Sequence, residues 1–261
     1  MHNGFLEKNG TLIKNKMKLI KTIPVFVILI LLVSFQKKTI KLFMAGDSTM
    51  SIKKPEKYPE TGWGMPFAKM FNESVQVENR AANGRSTRTF ISEGKWKSIV
   101  DEATEGDYVM IQFGHNDESK EKEDRYTSPE DYKKNLELFV AEVRSKKAIP
   151  ILLTSIVRRR FDKEGKFYDV HGVYPNLVRE VAHEKQVLLL DLQKSTEAYL
   201  TKIGKDESKK MFLQLDSAQH INYPKGVKDD THLNEYGAQI VAQMVMDELE
   251  KLNTELTKRK K

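Results

Sequence analysis

Ser48 ends an apolar run, Lys41-Leu42-Phe43-Met44-Ala45, and the turn Gly46-Asp47-Ser48-Thr49 presents its hydroxyl where a strand gives way to a loop. Far along the chain, Asp229-Asp230-Thr231-His232 precedes a helical pattern and sets carboxylates just ahead of an imidazole. A serine hydroxyl is a poor nucleophile unless a base removes its proton during attack. Histidine is that base near neutral pH, and a carboxylate on its other ring nitrogen fixes tautomer and orientation. The three residue types are thus the parts of an acyl-transfer triad, with Asp229 or Asp230 as the acid. Two further polar, Gly-containing turns, Asn79-Arg80-Ala81-Ala82-Asn83-Gly84-Arg85-Ser86 and Gly114-His115-Asn116-Asp117, follow apolar runs of their own. Glycine lets backbone approach a substrate closely, and a neutral amide donates without titrating. Each residue also has a plainer use: Ser48 as a helix cap, Gly84 and Gly114 as turn formers, Asn116 as an Asx turn, Asp117 as a loop anchor.

The elements that must position these groups alternate in type. Nearly continuous apolar runs predict strands at Thr39–Ala45, Val75–Asn79, Asp107–Phe113, Ile149–Ser155 and Val187–Asp191. Amphipathic stretches predict helices at Gly64–Phe71, Lys95–Ala103, Pro129–Lys146, Tyr174–Lys185 and Glu235–Leu252. This alternation predicts an α/β three-layer sandwich on a doubly wound, five-stranded parallel sheet. Such sheets place their sites beyond the carboxyl ends of the strands. The turns holding Ser48, Gly84 and Asn116 follow the first three predicted strands, and the Asp229–His232 loop must reach the same edge.

The net charge of +7 does not describe a nucleic-acid surface. Residues 1–38 carry seven Lys against one Glu and supply +6 of it, and the tail Lys258-Arg259-Lys260-Lys261 adds +4, which leaves residues 39–257 at −3. No phosphate-binding face follows from that balance. In residues 1–38, Lys14, Lys16, Lys18 and Lys21 precede the apolar run Ile23–Val33, the layout of a secretory leader. Met17 is a workable start, and the run is shorter than the roughly 20 residues a membrane span requires. A small-x-small cleavage site is missing, so an uncleaved N-terminal anchor, the only membrane contact foreseen, is the alternative. Residues 39–261 then form one exported domain, periplasmic or extracellular. The chain has no cysteine, which removes disulfides, thiol catalysis and thiolate metal sites. His171, His183 and His220 lack metal-ligand spacing. Neither a metal nor a cofactor is expected, and a monomer suffices.

Taken together, the blocks holding Ser48, Gly84, Asn116 and His232 resemble the SGNH (GDSL-type) hydrolase superfamily over about residues 39–252. Thr61-Gly62-Trp63-Gly64, Gly114-His115-Asn116-Asp117, Arg158-Arg159-Arg160-Phe161 and Tyr174-Pro175-Asn176-Leu177-Val178-Arg179 are similar to its rhamnogalacturonan acetylesterase branch. The resemblance implies a flavodoxin-like fold, metal-free removal of acetyl groups from pectic rhamnogalacturonan, and an acetylated poly- or oligosaccharide as substrate. Its Asp-x-x-His pattern selects Asp229 as the acid and leaves Asp230 solvated. It also assigns the oxyanion donors to the Ser48 and Gly84 N–H groups and the Asn116 amide.

Asp47, Trp63, His115 and Arg158 are candidates to touch the sugar. For Trp63 the alternative is packing under the Ser48 turn, for His115 a scaffold role, and for Arg158–Arg160 pairing with the acid-rich segment Glu118–Asp124. Residues 206–225 suggest a lid or rim. Two other functions compete: a lipase, thioesterase or lysophospholipase of the same superfamily, and an inactive glycan-binding module.

Overall fold

In the computed structural model, which describes residues 39–261, the runs richest in Val, Ile and Leu become the centre of the molecule. The expected leader or anchor lies outside these residues. Strands β1 (Ile40–Gly46), β2 (Val75–Asn79), β3 (Tyr108–Gln112), β4 (Ile149–Leu153) and β5 (Leu188–Leu190) pair in parallel in the order β2-β1-β3-β4-β5. The order reverses between β1 and β3, the topological switch point where open α/β sheets form their crevice.

Side-chain alternation sorts the core into two halves. Leu42 and Met44 of β1 join Met110 and Ile151 in a cluster closed by Phe67 of α1 (Gly64–Ala68) and Trp63 just before it, Leu192 and Leu200 of α6 (Leu192–Ser208), and Val241, Val245 and Leu249 of α7 (Glu235–Lys251). Phe43 and Ala45 point the other way, to Phe90 of α2 (Thr87–Ser92), Trp96 and Ile99 of α3 (Lys95–Glu102), α4 (Pro129–Ser145) and α5 (Tyr174–Glu184). On α4, Tyr132, Leu136, Phe139, Val140 and Val143 are buried, the helical repeat of one apolar face, and Ser128 caps it by accepting from the Asp131 N–H. The three-layer α/β/α sandwich is therefore as expected.

Three elements differ from expectation. Helix α2 begins at Ser86, which accepts from the Thr89 N–H while the Thr89 hydroxyl accepts from the Ser86 N–H, a capping box inside the stretch taken for a turn. Helix α6 covers residues for which no element was expected, with a break at Gly204 (φ 79°). The Asp229–His232 segment is not a loop; it belongs to β7 (Val227–Leu233), which pairs antiparallel with β6 (Phe212–Leu215). Residues 206–225 supply β6 and the connection to β7, so part of the supposed lid is the strand that pairs with the Asp229–His232 segment. Among the described residues, no helix is long and apolar enough to cross a membrane.

Candidate active site

Ser48 sits one turn beyond β1, and its turn is fastened from below. Asp47 Oδ1 accepts from the N–H and hydroxyl of Thr49 at 2.9 and 2.8 Å, and the Met50 and Ser51 N–H groups return to the Asp47 carbonyl. Trp63 lies fully buried under this turn, its N–H donating to Thr49 O and its Nε1 to Gln112 Oε1. Asp47 is equally enclosed. Neither side chain reaches solvent, so neither is a sugar contact; the expectation for both is corrected by burial. For Trp63, the packing alternative is the one observed.

His232 reaches Ser48 from the hairpin. Opposite the single step Phe212–Leu213, β7 passes from Leu233 to Asp229, so Asp230, Thr231 and His232 form a bulge. Asp229 Oδ1 accepts from the N–H groups of Thr231 and His232 at 2.7 and 3.0 Å, which folds the bulge around its own carboxylate. The other oxygen, Oδ2, lies 2.7 Å from His232 Nδ1, and His232 Nε2 lies 2.9 Å from Ser48 Oγ. Burial would raise the Asp229 pKa, but the hydrogen bonds and charge of His232 and the two backbone N–H groups outweigh it and hold it down at about 2. An ionised carboxylate, an imidazole and a hydroxyl thus stand in line, and the line can move the hydroxyl proton onto nitrogen during attack.

The bulge is pinned to the loop after β4. Arg158 Nη1 donates to Thr231 Oγ1 at 2.6 Å and Arg159 N–H to Asp230 O at 2.8 Å, while Arg159 Nη1 pairs with Asp230 Oδ1 at 2.9 Å. Asp230 also accepts from Gln214 and faces Arg160, so it is a partnered carboxylate rather than a solvated one. Arg158 meets Glu118 at 3.2 Å, the ion pair foreseen as its alternative, yet it also lines the cleft.

Gly84 has φ +72°, a left-handed conformation, and a Cβ there would stand 3.0 Å from Arg125 Nη1. Asn116 donates from Nδ2 to Arg85 O at 3.1 Å, which spends one of its two amide hydrogens and fixes the group. Asp117 is buried and accepts the N–H and hydroxyl of Thr87 through Oδ1, while Oδ2 has no partner; burial pushes it up to about 7. His115 is buried at the rear wall, its Nδ1 3.4 Å from Asp47 Oδ2, and burial lowers its pKa although Asp47 opposes this. Its ring stacks edge-on against His171, which bridges Glu118 and Ile156 O.

Ser48, Gly84, Asn116, Asp229 and His232 border one cleft of about 390 Å³, joined there by His115 and Arg158. Sequence reasoning missed the rest of its lining: Lys57, Glu60, Asn83, Ser119, Lys122, Arg125 and Thr231. No hydrocarbon side chain is among these residues, and four cations, Lys57, Lys122, Arg125 and Arg158, face two carboxylates, Glu60 and Asp229. The one available signal was the scatter of Lys122 and Arg125 through an acidic run. Among the described residues, no cluster of three His, Asp or Glu is arranged to hold a metal ion.

Residues 44–240 match the GDSL-like Lipase/Acylhydrolase family. Rhamnogalacturonan acetylesterase RhgT of Bacillus subtilis (strain 168) is 40% identical over 220 residues, 84% of this chain and 94% of its own length. A probable rhamnogalacturonan acetylesterase of the same organism, YesY, is 33% identical over 83% of this chain and 95% of itself. Among solved structures, Bacillus subtilis YxiM superposes with TM-score 0.71 at 26% identity over 84% of this chain, which spans only 58% of that one. The acetylxylan esterase Axe2 of Geobacillus stearothermophilus, at 16% identity and TM-score 0.59 over 81% of this chain and 94% of its own, shares the fold.

Proposed function

Since the chain belongs to the GDSL-like lipase/acylhydrolase family, we propose that it is an esterase whose Ser48, His232 and Asp229 remove O-acetyl groups from an acetylated acidic polysaccharide, pectic rhamnogalacturonan. The observation that carries this reading is the unbroken line of contacts, 2.9 Å from Ser48 Oγ to His232 and 2.7 Å from His232 to Asp229, beside a cleft with no hydrocarbon wall.

Ser48 Oγ attacks the acetyl carbonyl carbon as its proton passes to His232 Nε2, and Asp229 balances the imidazolium. The carbonyl oxygen becomes an oxyanion facing the Ser48 and Gly84 N–H groups and the free amide hydrogen of Asn116. Collapse breaks the bond to the sugar oxygen, which leaves with the proton from Nε2, and the acetyl group stays on Ser48. Water then attacks the acetyl-serine with His232 as base, which releases acetate and restores the hydroxyl.

The substrate class rests on the cleft cations and on the relatives named as rhamnogalacturonan acetylesterases. Lys57 and Lys122 have no carboxylate partner among the described residues, and Arg125 pairs only with exposed Asp124. A polymer with a carboxylate on alternate sugars would supply the missing anions. On the same reading, residues 1–38 export the domain to a polymer met outside the cytoplasm. Acetate release from acetylated rhamnogalacturonan and from acetylated xylan tests this directly. Faster release from the pectic polymer, and nitrophenyl acetate turned over faster than octanoate, are expected. Faster octanoate turnover would favour the lipase alternative, and failure of a fluorophosphonate to label Ser48 would favour a binding module.

A further inference from the structure

Lys53 is 2% exposed, and nothing in the triad requires a lysine there. Its Nζ donates to Ser48 O at 2.5 Å and to Asn83 Oδ1 at 2.8 Å, and pairs with Glu60 Oε1 at 2.7 Å. Three N–H groups meet three acceptors, so the ammonium is fully satisfied. The acceptors are not arbitrary. Ser48 O belongs to the peptide just after the nucleophile, and Asn83 immediately precedes Gly84. One buried cation therefore spans the gap between the turn that holds the nucleophile and the loop that holds the second oxyanion donor. Ser51 Oγ lies near the same two acceptors, 2.7 Å from Asn83 Oδ1 and 3.3 Å from Ser48 O, but its single hydrogen serves Asn83 and leaves the bridge to Lys53.

We infer that Lys53 is a positioning residue that sets the spacing of the Ser48 and Gly84 N–H groups, and that Glu60 holds its ammonium in place from the cleft wall. The inference rests on the proposed roles of Ser48 and Gly84. Oxyanion donors act only when they lie within about 2.7–3.1 Å of the developing charge. A displacement of about 1 Å costs on the order of 10²-fold in rate. Hydrogen bonds from a charged donor are shorter and roughly twice as strong as neutral ones, which suits a part whose task is to fix a distance. Burial pushes the Lys53 pKa down, and Glu60, with Asp47 and Asp229 beyond it, works against that.

Lys53→Met alone leaves Glu60 as a lone buried carboxylate and is expected to lower the melting temperature. The decisive variant is Lys53→Met with Glu60→Gln, which removes the pair rather than half of it and restores most of that stability. On nitrophenyl acetate, both variants are expected to lose at least tenfold in kcat with KM within about twofold of wild type. Recovery of wild-type kcat in the folded double variant would overturn the inference, because the pair would then serve stability alone. So would a raised KM at unchanged kcat, the mark of a binding wall. Ser48→Ala runs in parallel: if it still releases acetate, the nucleophile assignment fails, a result separate from either outcome for Lys53.

Discussion

Asp229 and Asp230 are neighbours in one bulge with opposite partners: Asp229 turns to His232, and Asp230 to Arg159 and Gln214. Asp229→Asn removes the charge that orients the imidazole and is expected to lower kcat on nitrophenyl acetate by about 10⁴, the loss typical when a triad acid becomes an amide. Asp230→Asn is expected to leave kcat within about threefold and to lower the melting temperature, since it weakens the Arg159 pairing. If the two kinetic effects came out exchanged, Asp230 would be the acid. The proposed triad could be named from sequence because hydroxyl, imidazole and carboxylate carry their chemistry in the residue type. Asp47 and the choice between the two readings of Trp63 were not decidable in sequence because burial is a tertiary property: both sit in motifs beside Ser48, and both face inward. Lys53 left no signal at all, being one lysine among many until the fold enclosed it.

The elements show the same division. β1, β3 and β4 are apolar on both faces, and composition alone identifies such strands. β7 carries Val227-Lys228-Asp229-Asp230-Thr231-His232, a polar sequence that becomes a strand only by pairing with Phe212–Leu215. Helix α2 is short, and its start is tied across the cleft floor to the Gly114–Asp117 loop through Asp117. The pKa of Asp117 near 7 lies above the ordinary carboxylate value of 3.8. The folded state therefore binds more protons than the unfolded chain between about pH 4 and 7. Asp117 favours the fold most fully below that window, and its contribution is lost as pH rises through 7. Asp117→Asn keeps an acceptor for Thr87 and never ionises, so urea melts at pH 5 and 8 should differ less in this variant than in wild type. An unchanged difference would mean that another group sets the slope.

Across the described residues, the proposed nucleophile and base belong to different sheets. Ser48 rides on the central five-stranded sheet, and Asp229 and His232 on the separate two-stranded one. The hairpin is joined to the body by Arg158 and Arg159, by the Thr61 N–H to Leu233 O, and by Asn222 and Tyr223, which donate to carbonyls of the 55–58 loop. At the hairpin's base Phe212 and Leu233 are buried in the main core, whereas the joints around Asp229–His232 and at the far turn are polar and partly open to water. Protein regions open independently, and those held by few apolar contacts open at lower free energy than the core. On warming, the Asp230–His232 bulge should therefore loosen from the body first, while Phe212, Leu233 and the central sheet stay packed. Hydrogen exchange is expected to run faster at the Thr231 and His232 amides than at those of β1 and β3. Esterase activity should fade several degrees below the calorimetric transition and return on cooling. An enzyme built on two sheets can be switched off by loosening the joint between them while the core of each stays packed.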